Sequence, residues 1–204
     1  MNIKKIVSID MDQNCYLVYD DNKIGAIIDP GFDYFKILKA IEENNVDCKY
    51  ILLTHCHYDH TFSVNELRGH KKVIGTLECD KNIRKSSYNL SDFTGKPFEI
   101  DGLDKIIEDK EEFYIGDIKF TAIKTPGHTD GSVCYLAEDN LFSGDTLFLR
   151  SVGRWDFPTG SGKTLVRSIR DKLYTLPDNI NVFPGHGEKT TIGYEKKFNM
   201  YVEN

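Results

Sequence analysis

The stretch ILLTHCHYDH, residues 51–60, constrains the fold more than any other part of the chain. An apolar, strand-like run ends at Thr54 and then presents His55, His57, Asp59 and His60. On an extended backbone, residues two apart point to one side, so His55 and His57 share a face and Cys56 takes the other. If DHTFSVNEL then begins a helix, Asp59 and His60 swing to a neighbouring position. One ion cannot readily take all four groups, whereas two adjacent ions can. Such a chain must end a strand in a cleft and bring other ligand-bearing segments to the same place.

Three further segments share this pattern of an apolar strand, then Gly or Thr, then a ligand-type side chain. AIKTPGHTDGS contributes His128, INVFPGHG contributes His186 and NLFSGDTLF contributes Asp145. The expected arrangement is one ion held by His55, His57 and His128 and a second by Asp59, His60 and His186, with Asp145 between them. Imidazole and carboxylate without thiolate suit zinc, iron or manganese better than calcium or magnesium. Few protein ligands per ion leave positions open for water, the mark of a catalytic site. Two ions about 3.5 to 4 Å apart can share a hydroxide, and Asp59 is placed to ligate one ion and orient the hydroxide's proton. The remaining histidine, His70, lies outside these segments and reads as a surface or packing residue.

The rest of the pattern supplies the frame. KKIVSI, NCYLVYD, KIGAIIDPG, KYILL and KVIGT read as strands in the first half, with helices at FDYFKILKAIEENN and FSVNELRGH. EFYIGDIKFTAIKTPG, SVCYLAEDNLFSGDTLF and NINVFPGHG add strands in the second half, and GKTLVRSIRDKLYTL is an amphipathic helix. Strand clusters with interspersed helices predict a layered α/β or α+β domain. Residues 86–110 are polar and weakly periodic, and are expected to form a surface excursion that could shape a substrate mouth. No linker divides the chain.

Composition excludes several classes. With 26 basic against 32 acidic residues and no basic stripe, a nucleic-acid surface is not expected. No run approaches the roughly 20 apolar residues of a membrane helix, and the first residues lack a secretory pattern. A cytoplasmic protein acting on a small molecule is expected. Five cysteines, an odd number with no close pairs, fit reduced thiols.

These residues carry a resemblance. THCHYDH matches the H-x-H-x-D-H signature of the metallo-β-lactamase fold superfamily, and PGHT, SGDT and PGHG match its later ligand segments in order. The resemblance implies a four-layer αββα sandwich, a single domain over 1–204, with a binuclear site at one edge of its two sheets. LRSVGRWDFPTG and PGHGEKTTIGYEKKFN further resemble the compact glyoxalase II-like hydrolases. That likeness implies cleavage of S-acylglutathione or a related thioester by a metal-bridging hydroxide. The family's ligands fall on His55, His57, Asp59, His60, His128, Asp145 and His186, with two divalent ions, zinc first and iron or manganese as alternatives. Zinc β-lactamases of the superfamily generally have a cysteine or another residue at the position of Asp145, so antibiotic hydrolysis is the less expected activity.

Full-length glyoxalase II enzymes carry a C-terminal helical region that holds the glutathione carboxylates. Here TTIGYEKKFNMYVEN follows the last histidine segment, so no separate glutathione-binding domain is expected. Two rival readings stay open: a mononuclear iron persulfide dioxygenase, and a lactonase or phosphodiesterase of the same fold. Arg154 sits where the family often has a basic substrate contact, with pairing to Asp156 as the alternative. Lys163 is a second candidate for substrate binding, its alternative a solvated surface group. Asp29 either accepts a hydrogen bond from a ligand imidazole or is a turn residue before Pro30. Cys56 reads as buried filler, and Trp155 and Phe157 as a substrate entrance or subunit contact.

Overall fold

The computed structural model describes residues 1–202. The first sheet opens as an antiparallel meander of β1 (Asn2–Val7), β2 (Asn14–Tyr19) and β3 (Ile24–Ile28). Helix α1 (Tyr34–Glu43) then crosses to β4 (Asp47–Leu52), which lies parallel to β3. Two short helices, α2 (Tyr58–Thr61) and α3 (Val64–Arg68), lead to β5 (Lys72–Gly75). Helix α4 (Leu77–Ile83) leads on to the two-residue edge strand β6 (Lys105–Ile106), so β3 to β6 run parallel.

The second sheet is a meander of β7 (Glu112–Ile115), β8 (Ile118–Lys124), β9 (Val133–Ala137) and β10 (Asn140–Gly144). A small hairpin, β11 (Leu147–Phe148) with β12 (Ser151–Val152), follows. The chain passes through α5 (Gly162–Ser168) and a π-type turn at Ile169–Leu173 to β13 (Asn181–Pro184), parallel to β10. Edge strand β14 (Thr190–Thr191) and helix α6 (Ile192–Phe198) complete the described chain.

Alternation along the strands fixes the layering. In β2 every residue is buried, yet Tyr16 and Val18 join one apolar cluster while Cys15, Leu17 and Tyr19 join another. The first cluster fills the space between the sheets, where Tyr16, Ile28 and Leu52 meet Phe120, Tyr135 and Phe142. The second covers the outer face of the first sheet with Ile37 of α1, Val64 and Leu67 of α3 and Ile83 of α4. A third cluster packs Leu165, Ile169, Leu173 and Ile192 on Ile123, Leu141 and Val182 of the second sheet. Three apolar seams separate four layers, which is the αββα sandwich. Each fully buried Leu, Ile or Phe in those seams stabilises the fold by roughly 2 kcal/mol.

Two elements differ from the sequence expectations. Helix α4 is absent from the sequence reading because its buried face is Cys79, Asn82 and Ile83, a weakly apolar stripe. Its start is set by Thr76, whose hydroxyl accepts from Cys79 N at 3.2 Å. The polar segment 86–110 is only partly a surface excursion. It contains a 3-10 turn at Ser91–Thr94 and strand β6, and it buries Asn89, Ser91, Ile100 and Ile107. Asn89 closes it, donating from Nδ2 to the carbonyls of Ile83 and Phe98. All five cysteines are free and buried. No helix among the described residues is long and apolar enough to cross a membrane.

Candidate metal centre

Strands β4, β8, β10 and β13 end at one edge of the sandwich, where His55, His128, Asp145 and His186 follow them in turn, and Asp29 follows β3 beside them. Core tyrosines pin two of the ends. Tyr135 donates to the Leu53 carbonyl at 2.9 Å, just before His55, and Tyr16 donates to the Pro184 carbonyl at 2.7 Å, just before His186. Tyr135→Phe leaves the Leu53 carbonyl buried without that donor, at an expected cost of about 1–3 kcal/mol. The check is a lower urea midpoint at unchanged slope.

Close approach explains two glycines. A Cβ on Gly185 would strike Asp145 Oδ1 and the His60 ring, so the loop before His186 can enter only as glycine. Gly144, ahead of Asp145, has φ of 48° and lies against the Thr54 side chain.

The structure brings His55, His57, Asp59, His60, His128, Asp145 and His186 together. His57 is extended (φ −64°, ψ 148°) and ends the strand-like geometry, and α2 begins at the next residue. Cys56 points away into the apolar layer under the helices. Ligand atoms of His55, His57 and His128 lie within 4.8 Å of one another, as do those of Asp59, His60 and His186. Asp145 stands between the groups: Oδ1 is 3.3 Å from His60 Nε2, and Oδ2 is 3.7 Å from both His128 Nε2 and His186 Nε2.

Hydrogen bonds behind the imidazoles decide which nitrogen each presents. Asp29 Oδ1 accepts from Thr54 N at 2.8 Å, and Oδ2 accepts from the Thr54 hydroxyl at 2.6 Å and from His60 Nδ1 at 3.0 Å. The Thr54 hydroxyl, having given its proton to Asp29, accepts from His55 Nδ1 at 3.0 Å. His128 Nδ1 donates to the Arg154 carbonyl at 2.6 Å and His186 Nδ1 to the Met11 carbonyl at 3.1 Å. Four imidazoles therefore keep a proton on Nδ1 and, in their neutral form, present a bare Nε2.

Those bare nitrogens face one another. His60 Nε2 and His186 Nε2 are 3.3 Å apart. His128 Nε2 lies 2.9 Å from His57 Nδ1, and His55 Nε2 is buried with no protein partner. Asp145 Oδ1, close as it is to His60, also lacks a hydrogen bond. Facing lone pairs and an unpaired carboxylate oxygen are a repulsive arrangement that shared cations resolve, so the donor set fits two divalent ions. Asp29 belongs behind the ligands, because both its oxygens are already engaged.

Electrostatics agree. Burial holds His55, His57 and His128 below the ordinary histidine range, His57 down to about 3, which keeps them neutral and able to ligate. Burial opposes ionisation of Asp59 and Asp145, but His60 and His186 outweigh it and both carboxyls fall below their usual range. Burial likewise opposes a proton on His60 and His186, and Asp145 with Asp59 overcomes it, raising both. The carboxylates thus demand positive charge at Nε2, and a metal ion supplies it in place of protons.

The centre floors a cleft of about 660 Å3 whose walls include Met11, Tyr58, Phe93, Phe148 and Phe157. Arg154 is the one arginine or lysine among the described residues lining it. Its guanidinium pairs with Asp156 at 3.0 and 2.8 Å and lies over the Phe157 ring at 4.2 Å. Phe157 in turn meets the His57 ring edge-on at 5.6 Å. Lys163 is exposed on the first turn of α5, outside the residues lining this cleft. Trp155 is 42 % exposed and packs on Tyr201. The sequence reading missed Thr54 and the Met11 carbonyl. Thr54 stands inside the quoted ligand stretch, but nothing local links it to Asp29.

A strand-end histidine and aspartate centre on an αββα sandwich defines a class of metallo-hydrolases. Residues 9–186 match the family described as the metallo-beta-lactamase superfamily, and the chain belongs to that superfamily. It is 36% identical to the hydroxyacylglutathione hydrolase GloC of Haemophilus influenzae over 214 residues, covering 100% of this chain and 99% of that one. Among solved structures it is similar to the B3 metallo-beta-lactamase BLEG-1, with TM-score 0.94, 32% identity and full coverage of both chains. It is also similar to the di-iron-bound form of TTHA1623, with TM-score 0.84, 29% identity and coverage of 98% and 100%.

Proposed function

We propose that this protein is a binuclear metal-dependent thioester hydrolase that cleaves S-acylglutathione or a related S-acyl thiol. The observation that carries the reading is the set of bare imidazole nitrogens converging between Asp59 and Asp145 at the floor of an open, aromatic-walled cleft. His55, His57 and His128 would hold one ion and Asp59, His60 and His186 the other, with Asp145 reaching both. Such ions, when bound, polarise an acyl carbonyl and lower the pKa of water. Likeness to the Haemophilus hydroxyacylglutathione hydrolase supports the thioester class, and likeness to a di-iron protein supports a two-ion site that accepts iron as well as zinc.

The chain's own residues do the rest. Asp59 stays ionised and orients, through a hydrogen bond, the proton of a water entering the cleft. The apolar walls hold the acyl group over the ligands and limit competing water. In the net reaction the water oxygen bonds to the acyl carbon, the C–S bond breaks, the thiolate takes up one water proton and the other leaves with the carboxylic acid. No side-chain nucleophile is required, so no acyl-enzyme accumulates.

The test is hydrolysis of S-lactoylglutathione by protein of measured metal content, before and after chelation. About two ions per chain with chelator-sensitive thioester cleavage is the expected result. A second reading, β-lactam hydrolysis, is favoured by the likeness to BLEG-1 over the full chain, so a chromogenic cephalosporin belongs in the same assay. Oxygen uptake with glutathione persulfide, one iron per chain and no hydrolysis would overturn the proposal.

A further inference from the structure

The metal cleft does not end at its own walls. A second groove of about 600 Å3 adjoins it across a rim formed by Met11 and Tyr58, which line both and touch through the Tyr58 hydroxyl and Met11 Sδ at 3.8 Å. Helix α2 explains the adjacency. Its Asp59 and His60 turn inward to the ligand cluster, while Tyr58 and Phe62, one turn apart, share the outer face. Phe62 packs on Phe32 at 4.6 Å and on Phe98 at 5.4 Å, and Phe32 meets Tyr58 edge-on at 6.0 Å. An aromatic wall thus runs from beside a ligand residue out to the 94–98 segment. Phe62 remains 40 % exposed and Met11 56 % exposed, so the packing leaves this wall accessible.

Resting on the thioesterase reading, the geometry points to this groove as the binding site for an extended apolar acyl chain of the substrate. Two observations favour the acyl side. The groove offers aromatic faces, with Asp10 and Glu66 against Lys96 as its charged side chains, so an anionic thiol carrier has little to hold there. The metal cleft instead carries the Arg154 guanidinium, which lies over the Phe157 ring and is paired with Asp156, a partner that an anionic carrier would displace. A thioester with its anionic carrier toward Arg154 and its carbonyl over the ligands would send its acyl chain past Met11 and Tyr58. Hydrolysis forms the C–O bond of the chain's carboxylic acid and releases the thiol.

Two measurements test it on the metal-loaded protein. The first is binding of non-hydrolysable thioethers of N-acetylcysteamine by calorimetry, comparing ethyl with octyl on the acyl-mimicking side. Octyl is expected to bind about tenfold more tightly, allowing for partial burial of the added methylenes. Asn65→Trp, which fills the groove from α3, is expected to remove that preference, and Phe62→Ala to weaken it several-fold. The second is kcat/KM for acetyl through octanoyl thioesters, expected to rise with acyl length in the wild type and to stay flat in Asn65→Trp. Equal ethyl and octyl binding, or a length preference that Asn65→Trp leaves intact, overturns the groove assignment. So does a preference that follows chain length on the thiol side. If octyl preference is present and groove-dependent but no thioester is hydrolysed, the thioesterase reading fails and the apolar subsite stands.

Discussion

Asp29→Asn is expected to weaken metal retention by about 10–100-fold while leaving the fold in place. The substitution keeps shape and removes one acceptor. If the amide nitrogen faces the Thr54 backbone, two donors oppose each other where Oδ1 now accepts at 2.8 Å. If it faces the other way, it donates toward the Thr54 hydroxyl and His60 Nδ1, both of which now donate to Oδ2. His60 would then have to carry its proton on Nε2, and the lone pair directed at His186 and Asp145 would be lost. The Thr54 hydroxyl would have to point elsewhere, releasing the His55 Nδ1 proton it accepts. Either flip disturbs the ligand set. Asp29→Ala adds a stability loss, since each buried donor left unpaired costs about 1–3 kcal/mol. Metal content after dialysis against chelators of graded strength measures the effect, and wild-type retention in Asp29→Asn would remove Asp29 from the positioning role.

Asp29 also shows where sequence reading stops. The ligand stretch at 55–60 was legible because its logic is local: strand alternation pairs His55 with His57, and a turn into helix separates Asp59 and His60. The sandwich was legible from strand clusters and from the resemblance carried by those motifs. Asp29 read equally as a turn residue, and it is one, with φ of 51°. Its second role depends on the parallel register of β3 and β4. That register pairs Ile28 with Leu52 and so sets Asp29 beside Thr54, although they are 25 residues apart. Helix α4 failed to register for the opposite reason, because Asn82 interrupts its apolar stripe yet is buried through a 2.7 Å bond to Asp130. The aromatic groove needs residues 32, 58, 62 and 98 from separate segments, which no sequence window contains.

Stripping the ions is expected to lower the melting temperature by on the order of 10 °C for each site saturated about 1,000-fold above its dissociation constant, a linkage of about 4 kcal/mol. The loss should depend on pH in a definite direction. His55, His57 and His128 have depressed pKa values, so the stability tied to their neutral forms is full above about pH 6.5 and fades as pH falls, for His57 toward about 3. His60 and His186 have raised values. Their contribution to the stripped protein is full below the ordinary histidine pKa and is lost as pH rises through the raised values. Ion binding must expel those two protons, so affinity climbs with pH while the stripped protein weakens. The gap in melting temperature between loaded and stripped protein is therefore expected to widen between about pH 6 and about pH 8. Asp59 and Asp145, held below the usual carboxylate range, stay ionised throughout that window and contribute no slope to it. Paired melting curves across the window, with proton release followed during zinc addition, make the measurement. A gap that stays constant, or zinc uptake without proton release, would show that His60 and His186 do not exchange protons for an ion.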